Sequence, residues 1–170
     1  MILAIDVYYY STYAKAVGIL FNWNDNALDT IIEANISPVE DYVSGEFYKR
    51  ELPCVKAIIE QVDTGGLEAI LIDGYVFIDN NLQLGLGGIL WQYLEEKVPI
   101  IGVAKTSFFK NKNTIKEVIR GDCKNPLYIS AIGYNIDTAA ENIKAMHGQY
   151  RIPTLLKELD KLTKKEVTKT

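Results

Sequence analysis

The chain has 170 residues and a mass of 19.1 kDa, with 48% hydrophobic and 24% charged residues. That is enough for one core but not comfortably two, and it is not the composition of a disordered or collagenous chain. The net charge of −4 is unevenly placed: residues 105–124 sum to +4 and residues 151–170 to +3, against −11 over the rest, so an acidic site flanked by phosphate contacts and a set of solvated lysine faces both fit.

Cys54 and Cys123 lie far apart and His147 is the only histidine. This excludes a disulfide framework or a cysteine–histidine zinc cluster and fits a reducing, cytoplasmic setting. The opening MILAIDVYYY has no basic start and reaches Asp6 early, so it does not read as a signal peptide. No apolar run approaches the ~18 residues of a membrane span.

In chain order, Met1–Ile5 and Ala14–Phe21 are apolar runs on either side of a tyrosine-rich turn and read as paired strands, with a third strand through Leu28–Ala34. Glu51-Leu52-Pro53 is expected to open a helix, because proline is favoured in a first turn. Val55, Ile58, Ile59 and Val62 then follow at the spacing of one buried helical face. Ala69–Ile72 and Pro99–Val103 are continuous apolar runs, hence buried central strands, with an amphipathic helix over Leu86–Lys97 between them. Leu127–Ile132 makes a further strand, and Thr138–Met146 and Pro153–Leu162 make the last helices. The order predicts an α/β fold with a mixed sheet, three antiparallel strands leading into a parallel half and helices on both faces. It is read as one domain over residues 1–165, with a frayed tail over 166–170.

Two acids stand out by position: Asp6 closes the first strand and Asp73 closes AILI. Groups just beyond the carboxyl ends of central strands line the ligand crevice of an open α/β sheet. Glu51, at the expected helix start, can join them if the first and fourth strands are neighbours. Three anions brought together repel unless a cation neutralises them, and oxygen-only donors point to Mg²⁺, with Mn²⁺ as a substitute. Each acid alone also fits a cap, a turn or, for Glu51, a surface ion pair with Lys49 or Arg50.

The segments Tyr42-Val43-Ser44-Gly45-Glu46-Phe47-Tyr48-Lys49-Arg50-Glu51-Leu52-Pro53, Ile72-Asp73-Gly74-Tyr75 and Pro99-Ile100-Ile101-Gly102-Val103-Ala104-Lys105 resemble those of endonuclease V, in order and spacing. Asn125–Ile129 and Gly148–Pro153 extend the resemblance over roughly residues 2–156. It implies a ribonuclease H-like fold and cation-dependent cleavage of DNA or RNA at the second phosphodiester 3′ to inosine, leaving a 3′-hydroxyl and a 5′-phosphate. On this basis Asp6, Glu51 and Asp73 hold the metal and Lys105 is the active-site lysine. Tyr42, Gly45, Gly74 and Tyr134 fall on substrate-contacting positions. Lys110, Lys112, Lys116 and Lys124 are then expected to follow the phosphate backbone.

The departures are specific. Tyr75 stands where the family has a histidine beside the metal acid, and Tyr134 where it has a second one. A phenol cannot take up a proton at neutral pH, so Tyr134→His is expected to speed the reaction. The family's wedge tyrosine lies between prolines, whereas Tyr42 follows Asp41. The chain also begins almost at the first strand, where the family has an N-terminal helix. These losses leave open a relative that binds nucleic acid but cleaves it weakly, and an unrelated doubly wound protein whose strand-end acids bind a phosphorylated ligand. His147 reads as a surface residue, Tyr8-Tyr9-Tyr10 as packed rings or base-stacking faces, Gly85–Gly88 as close helix packing, and the two cysteines as buried thiols.

Overall fold

The computed structural model describes residues 1–39, 41–44, 46–108 and 110–166. The strands are β1 (Ile2–Tyr9), β2 (Ala14–Phe21), β3 (Thr30–Ile36), β4 (Ala69–Asp73), β5 (Ile100–Ala104), β6 (Lys116–Val118) and β7 (Leu127–Ile132). The helices are α1 (Phe47–Ile59), α2 (Leu86–Tyr93), α3 (Ile136–Ala145) and α4 (Thr154–Thr163). One seven-stranded sheet runs in the order β3-β2-β1-β4-β5-β7-β6. The first three strands pair antiparallel, β1, β4 and β5 pair parallel, and β7 and β6 return to antiparallel pairing. The chain therefore has the expected mixed α/β sheet, with an antiparallel edge added beyond the parallel centre.

Helices cover both faces. On one, α1 packs on β1, β2 and β3 while α2 packs on β5, burying Cys54, Val55, Ile58 and Leu90 against Leu3, Ile5, Ile70 and Ile72. On the other, α4 lies across β1 and β2 and α3 across β6 and β7, burying Leu155, Leu159 and Ile143 against Ile2, Ala4, Leu71 and Leu127. Alternation along β1 and β4 assigns these sets: odd positions of β1 and even positions of β4 face α1, and their neighbours face α4.

Several elements differ from the sequence reading: β3 runs over Thr30–Ile36 and not Leu28–Ala34, and α2 ends at Tyr93 and not Lys97. Strand β1 runs on to Tyr9, so Asp6 lies within it and Tyr8 and Tyr9 are strand residues, not a turn. The long pairing with β2, from Ile2–Phe21 to Tyr9–Ala14, extends the strand past the acid. Helix α1 opens at Phe47, with Pro53 inside it. Proline there lacks only one helical N–H, a loss that the buried apolar face offsets, and the earlier start carries Glu51 one turn into the helix. Strand β6 went unrecognised because three residues, KEV, carry no periodicity. Of the expected tail, residues 167–170 lie outside the described residues, as does Gly45. Cys54 and Cys123 are unpaired thiols, and among the described residues no helix is long and apolar enough to cross a membrane.

Candidate active site

Parallel pairing aligns Ile5 of β1 with Ile72 of β4 and Asp73 of β4 with Val103 of β5. Asp6 and Asp73 are thus the next positions on adjacent strands, and both continue the row of side chains that faces α4. Lys105, two residues past Val103, shares that row, and its Nζ stands 3.1 Å from Asp73 Oδ2. Asp6 Oδ1 accepts the Val7 N–H at 2.9 Å.

Glu51 arrives from the opposite face. Helix α1 buries its side chain to 8% exposure, where Oε1 accepts a 2.9 Å hydrogen bond from the Tyr9 hydroxyl. The Arg50 guanidinium lies 3.7 Å from the centre of the Tyr9 ring. The surface ion pair considered for Glu51 is not formed: Lys49 Nζ pairs with Glu46 instead, at 2.8 Å. One cleft of 440 Å³ is lined by Asp6, Glu51, Asp73, Gly74, Tyr75 and Lys105.

These charges act on one another. Burial, with Asp73 next, raises the Asp6 carboxyl to about 6. Burial also raises Glu51 to about 7, with Asp6 and Asp73 adding to it and the Tyr9 and Arg50 contacts opposing it. Burial pulls the Lys105 ammonium down, but Asp73, with Asp6 and Asp160 behind it, outweighs that and holds it above the ordinary lysine value. As the side chains lie, no group of three His, Cys, Asp or Glu among the described residues stands ready to grip one ion. Asp73 is drawn to Lys105 and Glu51 to Tyr9.

Glycine shapes the turn after β4. Gly74 has φ +141°, a conformation side chains rarely adopt, and a Cβ on Gly102 would lie 2.5 Å from both the Gly74 carbonyl and Ser130 Oγ. Ser130 Oγ in turn accepts the Val76 N–H at 2.9 Å. Tyr75 lies in the cleft, its hydroxyl donating to the Thr106 carbonyl and its ring 6.3 Å from that of Phe108. Tyr42, 60% exposed, stands outside the cleft, its ring edge-on to Phe47, which lines it.

Tyr134 is not brought to this site. Strand β7 runs antiparallel to β5, pairing Ile132 with Ile100, so the residues after β7 emerge at the other end of the sheet. There the Tyr134 hydroxyl donates to Glu68 Oε1 at 2.5 Å, just before β4. The basic segments are also less free than their charge implies. Lys116 pairs with Asp137 and Lys164 with Asp160. Arg120, 4% exposed, spends its donors on the carbonyls of Lys144, Met146, Gly148, Tyr150 and Arg151. Lys112 and Lys124 form no ion pair among the described residues.

Asp160 escaped the sequence reading. It lines a second cavity together with Asp6, Asp73 and Lys105, and its charge acts on Asp6 and Lys105. The signal was its place four residues after Leu156 on the inward face of α4, masked by the lysines around it.

No protein-family model matches the sequence, and no curated protein does. Solved structures do. Endonuclease V of Ciona intestinalis, in complex with a DNA containing an inosine followed by a ribo-adenosine, superposes with a TM-score of 0.80 at 18% identity, over 96% of this chain and 84% of that one. The catalytic domain of human endonuclease V gives 0.75 at 19% identity, over 96% and 80%. Endonuclease V of Bacillus subtilis gives 0.74 at 19%, over 96% and 78%.

Proposed function

We propose that this chain is a divergent endonuclease V-like nuclease that uses Mg²⁺, or Mn²⁺ in its place, to hydrolyse a phosphodiester 3′ to inosine in DNA or RNA. Its setting would be nucleic-acid repair or processing in the cytoplasm, and residues 1–165 would act as one domain. The fold shared with endonuclease V structures supports this reading, one of them bound to inosine-containing DNA. The observation that carries it is the placement of Asp6 and Asp73 side by side on adjacent parallel strands, with Lys105 at 3.1 Å from Asp73 and Glu51 lining the same cleft.

The donor set fits a hard cation. It is all oxygen, and burial and mutual repulsion hold two of its carboxyls well above their ordinary values. Asp6, Asp73 and Glu51 would hold the ion, which supplies Lewis-acid stabilisation of the charge that develops in phosphodiester hydrolysis. Lys105 neutralises the phosphate next to Asp73. Tyr9 fixes the orientation of Glu51. Gly74, with no side chain at the cleft wall, lets a nucleotide approach the backbone, while the exposed Tyr42 would meet the strand beyond Phe47.

A second reading, a nucleic-acid-binding relative with weakened cleavage, is favoured by one observation. Tyr75 occupies the cleft with its hydroxyl committed to Thr106, and no imidazole lines that cleft. Incubation with inosine-containing and control strands, DNA and RNA, with Mg²⁺, Mn²⁺ or EDTA, separates the two. Cleavage 3′ to inosine only with a cation is the expected result. Binding without cleavage under every condition selects the second reading.

A further inference from the structure

A second cavity, of 540 Å³, opens on the α4 side of the ridge formed by Asp6, Asp73 and Lys105. It exists because α4 crosses β1 and β2 while α3 crosses β6 and β7, leaving the β4–β5 surface between them open. Its floor is apolar, made by Ala4, Leu71, Val103 and Leu127, and Leu156 and Leu159 wall it from α4. Its mouth is charged, with Lys157, Lys164 and Asp160 facing the ridge, and Tyr150 stands there 64% exposed.

A cavity of this size with apolar walls and a few polar groups at one end is the form of a small-ligand site. The apolar interior offers nothing to a sugar or a peptide, whose polar groups would go unpaired. It suits a flat ring system that buries its faces and keeps its polar edge at the mouth. The mouth is also where a phosphate attached to that ring would sit. Lys157 makes no ion pair among the described residues, and its ammonium lies 5.5 Å from the centre of the Tyr150 ring.

We propose that this cavity receives one unpaired nucleobase of the strand whose phosphate lies at Asp6, Asp73 and Lys105. The site holds the base by its faces and takes any of the common bases. This rests on the nucleic-acid reading above and adds a second base site, on the other side of the carboxylates from the cleft that holds Glu51.

The test uses the whole chain with methyl-labelled Ile, Leu and Val and a short inosine-containing DNA strand through which a single abasic residue is walked. At one position, loss of the base should weaken binding by roughly 10-fold or more, as expected when the faces of one ring are no longer buried against aliphatic side chains. The intact strand should shift the methyl resonances of Leu71, Val103 and Leu156, and the strand lacking that base should not. Leu156→Trp, which fills the cavity from its partly exposed wall, should make the two strands bind alike; the wild-type methyl shifts decide the matter if that variant does not fold. Unmoved cavity methyls, or equal affinity at every abasic position, overturn the proposal even if the protein cleaves. Shifted methyls and a position-specific loss in a protein that cleaves nothing uphold it while the nuclease reading fails. Shifts produced by a fatty acid but not by the strand also overturn it.

Discussion

The Tyr9 hydroxyl and the Glu51 carboxylate, 2.9 Å apart, join the strand that carries Asp6 to the helix that approaches from the other face of the sheet. Because β1 continues three residues past Asp6, Tyr9 points toward α1 while Asp6 points toward α4. One strand therefore supplies a carboxylate to the site and a donor to the residue opposite. Tyr9→Phe removes the bond that favours the ionised form of Glu51, so its carboxyl should rise above about 7. The acid limb of the pH–rate profile should move upward, and urea unfolding should show a loss of about 1 kcal/mol. An unmoved acid limb would place Glu51 outside the chemistry.

Asp73 and Lys105 are both nearly half exposed, so their ion pair contributes at most about 1 kcal/mol to folding. Asp73→Asn should leave the melting temperature nearly unchanged and almost abolish cation-dependent cleavage. It also removes a negative charge beside the phosphate, so binding in EDTA should stay equal or tighten. Cleavage at the wild-type rate would make Asp73 a turn residue only.

The raised carboxyls make stability depend on pH in a stated direction. Asp6 rises from 3.8 to about 6 and Glu51 from 4.5 to about 7. Between these limits the folded chain binds more protons than the unfolded one, so stability is fullest below pH 4 on this account and is lost as the pH rises toward 7. Glu68, lowered by its bonds from Tyr134 and Trp23, works in the opposite direction but is largely solvated. In EDTA the contribution of these two groups to the melting temperature should fall from pH 5 to pH 7.5. Glu51→Gln should flatten the slope, and Mg²⁺ should reverse much of it by binding the ionised form. A slope unchanged in Glu51→Gln would refute the assignment.

The sheet and most of its helices were legible because long apolar runs bounded by acids, glycine and proline leave few alternatives. Asp6 and Asp73 could be paired on paper once the two strands were taken as neighbours. What was not legible is strand direction. Nothing in LYISAI says that it runs antiparallel to IIGVA, and that direction sends Tyr134 away from the carboxylates. Nor does charge counting separate a lysine facing solvent from an arginine buried under a loop, and Asp160 was hidden among lysines that do face solvent.

Tyr134 therefore tests placement. Its hydroxyl donates to Glu68 and accepts from Asn142 Nδ2 at 3.2 Å, tying the end of β7 to the start of β4 and to α3. Tyr134→Phe should cost about 1 kcal/mol of stability and leave the cleavage rate and affinity unchanged. Tyr134→His should not accelerate cleavage, contrary to the expectation from sequence. A faster Tyr134→His enzyme would contradict the sheet order.

Arg120 governs the loop that forms the mouth of the second cavity. Its guanidinium donates to Met146 at 2.5 Å, to Tyr150 at 2.7 Å and to Gly148 at 2.9 Å, with longer bonds to Lys144 and Arg151. Burial lowers its pKa but leaves it charged, since arginine starts so far above neutrality. The five carbonyls have turned toward one cation, and an apolar side chain of similar length would leave several of them unpaired. Arg120→Met should therefore cost roughly 2–4 kcal/mol in urea unfolding. Arg120→Lys should recover little of it, because one ammonium cannot span the fork of positions that the planar guanidinium reaches. The loss should be local before it is global, with amide exchange of residues 146–151 accelerating ahead of the strands. Arg151 reports the consequence for the site: it donates to the carbonyls of Lys105 and Pro126, so a loosened loop should weaken strand binding as well as stability. Wild-type exchange in that segment would show that its backbone is held by something other than Arg120.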